Sequence, residues 1–370
     1  MTDNNVTLAD LLRDVAAKGG SDLHLVPGLP PLARVGGNLR QMSQPELDAA
    51  AVGKLIEPYM DELRRQTYER EMRANFSFSI EGIGRFRFSV CQTLGMPSAA
   101  IRLTPTKIHP LSMLGLPPIV QTLVNRRAGL IFITGATGNG KSTTMAAMLE
   151  HINQNGEPSK IMTVEDPIEF LFKPAHSVFV QREVGVDTPS FDMGIVDALR
   201  QDPDILCVGE MRGTASINAA LLAAETGHLV LTTLHTRDAS KTAQRIVAAF
   251  SQVDQDGIRE QLASTLEAVI SQRLLPRADG RGLVLACEVM VATSAVRQLI
   301  RENKFEAIND AIQSGLKDGM VSLDASIKGL YQKQLISRAT AVANMRNPEM
   351  LPAAPTQVFV GGKPGGGAAG

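Results

Sequence analysis

The stretch "GLIFITGATGNGKSTT", residues 129–144, limits the possible folds more than any other part of the chain. A short apolar run leads into a loop that fits G-x-x-x-x-G-K-[ST], and a helical pattern starts at Lys141. The order strand, phosphate loop, helix is the context this motif requires, whereas a glycine-rich turn with a chance Lys and Ser would not bring both flanks with it. Gly135, Gly138 and Gly140 let backbone N–H groups turn inward around phosphates at a helix N-terminus. Lys141 is then expected to reach the β- and γ-phosphates of ATP, and Ser142 to hold Mg2+. The motif leaves open what work the hydrolysis drives.

Around this loop, strand-like runs alternate with helical patterns: "GLIFIT", "IMTVE", "ILCVGE" and "HLVLTTLH". That rhythm predicts an α/β fold whose parallel sheet is joined by crossover helices. In "IMTVEDPIEF", Glu165, Asp166 and Glu169 fall at a strand's carboxyl end, the edge where such sheets hold ligands. Alone they read equally as a solvated acidic turn; beside a phosphate loop, a Mg2+ or water-ordering role is the better reading. Ile205–Val208 form a buried strand that delivers Gly209 and Glu210 to the same edge. Many phosphate-loop enzymes carry an Asp here for Mg2+. With glycine at 209, Glu210 is left to orient or deprotonate the attacking water. His235 ends the run "HLVLTTLH" and is expected near the γ-phosphate, while His228 starts it, at the far end, and reads as structural.

With 370 residues the chain is long enough for two domains. Lys plus Arg is 37 against 38 Asp plus Glu, a net charge of -1, which argues against nucleic acid as the main partner. Aromatics are 4% and Trp is absent, so the stacking loops of a single-strand motor are not expected either. Cys91, Cys207 and Cys287 have neither disulfide nor zinc spacing and suit a reducing cytoplasm. The N-terminus lacks a signal-peptide pattern, and no run of about 18 apolar residues predicts a membrane span.

Thr7 and Asp10 resemble a capping box ahead of a stripe of Leu8, Leu11, Leu12 and Val15, stopped by Gly19 and Gly20. "SDLHLV" and "ARVGGNLRQM" read as short strands about the turn "PGLPP". Residues 76–90, "FSFSIEGIGRFRFSV", alternate as a hairpin in which Phe76, Phe78, Phe86 and Phe88 share a face. Residues 1–104 are therefore expected to form a small α+β domain. Its Arg85, Arg87 and Arg102 read as a solvated face, yet phosphoryl transfer needs positive charge, and an arginine supplied by a neighbouring subunit can serve. Within the core motifs, Arg212 and Arg237 are the arginines at hand. The proline-rich segment 105–117 is expected to be a linker, 118–290 the ATPase core and 291–350 a helical region. There Ala292, Ala295, Val296, Leu299 and Ile300 are predicted to share one face of a helix and Arg297 and Arg301 the opposite one. Residues 351–370 end in "GGKPGGGAAG" and are expected to lack order.

The strings "SDLHL", "GRFRFSV", "GATGNGKSTT", "TVEDPIEF", "QREVGVDT", "LRQDPDILCVGEMR", "ETGHLVLTTLHT" and "AVRQLIRE", in this order, resemble the type IV pilus retraction ATPases, the PilT/PilU twitching-motility group. The resemblance spans about residues 5–350. It implies a PAS-like N-terminal domain and a RecA-like ATPase domain in a homohexameric ring, with ATP between the domains. It further implies a cytoplasmic protein, peripheral at the inner-membrane pilus base, that acts on pilin through a platform protein and works beside a paralogous retraction ATPase. Carried over by residue, Gly135, Ala136, Thr137, Gly138, Asn139, Gly140, Lys141, Ser142 and Thr143 match the Walker A loop. Glu165 to Glu169 match the acidic box, Gly209 and Glu210 the Walker B end, and His228 to His235 the histidine box. Arg85, Arg87 and Arg102 match N-domain arginines that reach nucleotide, some across a subunit boundary. "AVRQLIRE" is similar to a C-terminal motif needed for retraction, which implies a coupling or partner role for Arg297 and Arg301.

After "GEMR" the family carries carboxylates where this chain has Gly213 and Ala215, so a changed loop contact or rate is expected, and an accessory PilU-like paralogue stays open. Assembly ATPases of this superfamily carry a tetracysteine zinc insertion that is missing here. A similar ATPase serving type IV secretion or conjugation remains an alternative. A nucleotide-gated scaffold that does not hydrolyse ATP is the reading from another class.

Overall fold

The computed structural model describes residues 6–105 and 107–352. Helix α1 (Leu8–Ala17) starts as its sequence predicts: the Thr7 hydroxyl accepts from the Asp10 amide at 3.2 Å, and the Asp10 carboxylate accepts from the Thr7 amide at 3.2 Å. Its leucines and Val15 are buried against a six-stranded antiparallel sheet. The strands are β1 (Gly20–Leu25), β2 (Leu32–Val35), β3 (Asn38–Gln41), β4 (Arg73–Ile80), β5 (Gly84–Thr93) and β6 (Met96–Leu103), ordered β3-β2-β1-β6-β5-β4. Phe76 lies opposite Phe88 and Phe78 opposite Phe86. The apolar face so formed stacks the rings of Phe76 and Phe88 at 4.9 Å. Two further helices, α2 (Ala49–Ile56) and α3 (Glu62–Glu71), were not apparent in the sequence, and neither was β6. Helix α3 buries none of its residues, so it carries no apolar stripe to read.

The other face of this sheet is polar. Arg85 pairs across the hairpin with Ser79 and Arg87 with Ser77, while Arg102 lies opposite both Arg87 and Asp22. Alternation along the strands therefore gathers the three arginines on one face, away from the phenylalanines.

After α4 (Ile119–Val124), a second sheet contains β7 (Gly129–Thr134), β8 (Lys160–Glu165), β9 (Val178–Glu183), β10 (Ile205–Val208), β11 (Leu229–Leu234), β12 (Leu266–Pro276) and β13 (Leu283–Val291). The order is β13-β12-β7-β11-β10-β8-β9, parallel throughout except for the β12–β13 hairpin. This is the predicted α/β architecture, with one antiparallel edge strand. Helices α5 (Lys141–Asn155), α6 (Phe191–Leu199), α7 (Thr214–Glu225), α8 (Ala239–Ala248) and α9 (Gln255–Thr265) cover both faces. Leu130 and Phe132 of β7 pack towards the α7–α9 side, and Ile131 and Ile133 towards α4 and α5. Burial on both faces explains why β7 reads as an unbroken apolar run. The predicted linker also joins a core, since Leu111 is buried beside α4 and α5.

Beyond β13, α10 (Ser294–Arg301), α11 (Ile308–Ser314), α12 (Leu323–Gln332) and α13 (Arg338–Asn344) complete the chain's regular structure among the described residues. The predicted faces of α10 need correction. Val296 and Ile300 are buried, but Ala295 is exposed and Ala292 is buried before the helix begins. Arg297 is no part of a solvated face: its guanidinium donates to the carbonyls of Ala292, Ala263 and Ser264 and to Glu267. Arg301 is the more exposed of the two and pairs with Glu260 at 3.0 Å. Of the tail expected to lack order, Leu351 is buried against α12 and α13, and residues 353–370 lie outside the described residues. Among the described residues no helix is long and apolar enough to cross a membrane.

Candidate active site

Parallel register brings the carboxyl ends of four strands to one edge. Thr134 of β7 pairs with Leu234 of β11. Val208 of β10 pairs with Thr232 on one side and Val164 of β8 on the other. Whatever follows each strand therefore opens into the same crevice, of about 520 Å3.

The loop after β7 enters it first. At Gly135 φ is +143°, and an added Cβ would come within 2.5 Å of the Gln272 carbonyl oxygen in β12, so only glycine fits between the loop and that strand. Asn139 fixes the far side of the loop by accepting from the Leu274 amide at 3.2 Å. Helix α5 then starts at Lys141, so its first N–H groups face the crevice with no side-chain cap. Lys141 is buried, and its Nζ donates to the Ala136 carbonyl at 3.2 Å. Burial pulls its pKa down, against the opposing pull of Glu210 and Glu169. Thr137, Gly138, Gly140, Lys141, Ser142 and Thr143 line the crevice directly. Gly135, Ala136 and Asn139 shape the loop from behind.

Opposite stands an acidic wall. Glu165 ends β8 and is buried; it accepts from the Thr163 hydroxyl at 2.7 Å, the Gln181 amide at 3.4 Å and the Glu169 amide at 3.5 Å. Desolvation pushes its pKa up, and those hydrogen bonds offset part of the rise. Gly209 is packed tightly beside it: a Cβ there would lie 3.3 Å from the Glu165 Cα and 3.4 Å from the Val164 carbonyl oxygen. The carboxylate that many phosphate-loop enzymes carry at this point would have to be accommodated against β8, and Glu165 is the carboxylate that occupies the neighbourhood. Glu210 follows, held on one oxygen by Arg212 Nε at 3.0 Å and approached on the other by His235 Nε2 at 3.3 Å. His235 Nδ1 lies 3.5 Å from Lys141 Nζ, so loop lysine, histidine and glutamate form one chain across the crevice.

The predicted residues thus separate into groups. Lys141, Ser142, Thr143, Glu165, Glu210, His235 and Arg87 share the crevice. Arg85 does not enter it: it forms an ion pair with the buried Glu183 at 3.0 Å. That carboxylate also accepts from the Ile168 amide at 3.1 Å, so Arg85 braces the 165–169 segment from outside. Arg102 lies exposed on Asp22 at 2.8 Å and is likewise not among the crevice's lining. His228 sits at the opposite end of β11, its Nδ1 2.9 Å from the Ala223 carbonyl. Three contributors had no signal that sequence reasoning used. Gln181 sits within the quoted "QREVGVDT" but acts only once β9 lies beside β8, and Leu274 and Gln272 lie 135 and 128 residues from Asn139 and Thr144, the partners they bond.

The donor set suits a nucleoside triphosphate with Mg2+. Loop amides and Lys141 would hold phosphate oxygens, and the Ser142 hydroxyl would offer a hard oxygen ligand at the helix start. Among the described residues there is no cluster of three or more His, Cys, Asp or Glu that could hold a metal ion.

The model of the family described as Type II/IV secretion system protein matches residues 5–327. The chain is 42% identical to the type IV pilus retraction ATPase PilT of Pseudomonas aeruginosa over 342 residues, covering 92% of this chain and 99% of that one. It is 41% identical to a twitching motility protein of Neisseria gonorrhoeae over 87% of this chain and 86% of that one. Among solved structures it resembles the pilus retraction motor PilT with bound ADP, with a TM-score of 0.86 and 40% identity over 94% of this chain and 99% of that one.

Proposed function

This chain belongs to the Type II/IV secretion system protein family, and from that premise we propose that it is an ATP hydrolase that drives type IV pilus retraction. The observation that carries the reading is the 42% identity over nearly the whole length of a pilus retraction ATPase. The crevice supports it with a loop, a buried lysine and an acidic wall on one sheet edge.

Lys141 and the loop amides hold the β- and γ-phosphates, and Ser142 would be a ligand of Mg2+, which when bound would supply charge neutralisation at the phosphate oxygens. Glu210 orients the attacking water and takes its proton. Glu165 orders the acidic segment, and His235 senses the γ-phosphate side through Glu210 and Lys141. Arg87 faces the nucleotide from the first sheet, Arg85 holds the acidic segment through Glu183, and the exposed Arg102 is the arginine free to reach nucleotide across a subunit boundary in a homohexamer. Residues 1–104 act as the PAS-like domain, joined by 105–117 to the ATPase core of 118–290 and the helices of 291–350. The ring works on the cytoplasmic side of the inner membrane against a platform protein.

Glu210→Gln is expected to lower kcat for ATP by about 10²–10⁴-fold, and Lys141→Ala to abolish turnover. A deletion strain should carry excess, immobile surface pili that only an ATP-hydrolysing copy retracts. Normal hydrolysis by Glu210→Gln overturns the catalytic assignment, and a deletion strain without pili identifies an assembly ATPase instead.

A further inference from the structure

Arg212 stands four residues past the end of β10, on the rim of the crevice. Its Nε donates to Glu210 Oε2 at 3.0 Å and its Nη1 to Asp166 Oδ2 at 3.1 Å. One planar group thus joins the carboxylate after β10 to the carboxylate after β8. The ring of Phe191 lies 6.0 Å from its Cζ. Two neighbours fix the backbone that carries it: the buried Met211 donates its amide to the Thr233 carbonyl, and Gly213, the N-cap of α7, donates its amide to Ser216 Oγ at 3.3 Å.

The consequence falls on Glu210, whose carboxylate is on a loop and would otherwise turn about its own side-chain bonds. With Oε2 engaged by the guanidinium, Oε1 is directed to His235 and, beyond it, Lys141. A lysine at 212 is a point charge and cannot span two carboxylates in one plane as the guanidinium fork does. We propose that Arg212 is a positioning residue for hydrolysis, which holds Glu210 against Asp166 so that Oε1 is presented to the attacking water. This rests on the reading of the crevice as an ATPase site.

The test uses the full chain, with steady-state ATPase kinetics, titration of a fluorescent ADP analogue and thermal unfolding. Arg212→Gln should lower kcat by about tenfold or more, because misplacing a reacting group by about 1 Å can cost up to about 10²-fold. KM and the analogue's Kd should stay within about threefold, since a group that acts only on the chemical step leaves binding unchanged. Arg212→Lys should recover only part of kcat. Asp166→Asn, which loosens the fork but keeps the bond to Glu210, should show a smaller loss with the same split, and it stands as the test if Arg212→Gln does not fold. A wild-type kcat in Arg212→Gln, full rescue by lysine, or a KM and Kd that rise in step with the loss in kcat would each overturn the proposal. Wild-type chain without turnover removes the ATPase reading itself, a result separate from any difference among the variants.

Discussion

Replacing Arg297 by alanine removes four hydrogen bonds that join three parts of the chain. The guanidinium donates to the Ala292 carbonyl at 2.9 Å, the Ala263 carbonyl at 2.6 Å, the Ser264 carbonyl at 2.8 Å and Glu267 Oε1 at 2.8 Å. Ala263 and Ser264 lie in the last turn of α9, which has no basic residue of its own there. Arg297 therefore caps that helix from outside and places a positive charge at its negative end. With 22% of the side chain exposed, water replaces only part of what is lost. A hydrogen bond to a charged group contributes about 1.5–3 kcal/mol, and bonds sharing one donor group do not add, so the net cost is about 2–4 kcal/mol. For a chain of 370 residues that lowers Tm by about 3–5 °C.

Arg301 on the same helix is the control. It forms an exposed pair with Glu260, whose side chain is two-thirds exposed, and pairs of that kind contribute about 0–1 kcal/mol. Thermal unfolding of Arg297→Ala and Arg301→Ala, side by side, measures both. A Tm for Arg297→Ala within about 1 °C of wild type, or equal shifts in the two variants, refutes the view of Arg297 as a strut.

Two further outcomes follow from the site. Burial raises the pKa of Glu165, so the folded chain keeps this proton to higher pH than the unfolded chain does; the stabilising effect of the neutral form is present at pH below its unfolded value and is lost as pH rises through the raised folded value. Glu165→Gln cannot ionise, so its Tm relative to wild type should climb across that interval and then level off, and a relative Tm that falls with rising pH contradicts the burial argument. Gly213 is the N-cap of α7, with φ -150° and nothing within 4 Å of an added Cβ. Gly213→Asp should therefore raise stability by a few tenths of a kcal/mol, roughly the advantage of Asp over Gly at an N-cap; a lower denaturant midpoint for the variant would show that the missing carboxylate is excluded by its surroundings.

How legible a part of this molecule was depended on how local its cause is. The phosphate loop, α1 and the β4–β5 hairpin each carry their reason within about fifteen residues: a glycine spacing, a Thr7–Asp10 cap, an alternation of phenylalanines. Strands β7, β8, β10 and β11 showed as apolar runs because both faces of each are covered. Strands β9 and β12 offered no such pattern, being mixed in polarity or split by Ser271, Gln272 and Arg273. Yet β12 presses on Gly135 and supplies the Leu274 amide to Asn139.

Sequence alone determined the chemistry on offer: a phosphate loop, carboxylates after two strands, glycine at 209, and arginines on a hairpin. Tertiary structure decided which of them meet. Arg87 reaches the crevice while Arg85, two residues away on the same face, is engaged by Glu183. Arg297, which one helix period assigns to solvent, is drawn under α10 by the unpaired carbonyls of α9. The physical reason is the same for both arginines. A long cationic side chain goes wherever acceptors lack partners, and those acceptors belong to elements distant in sequence that only packing brings near.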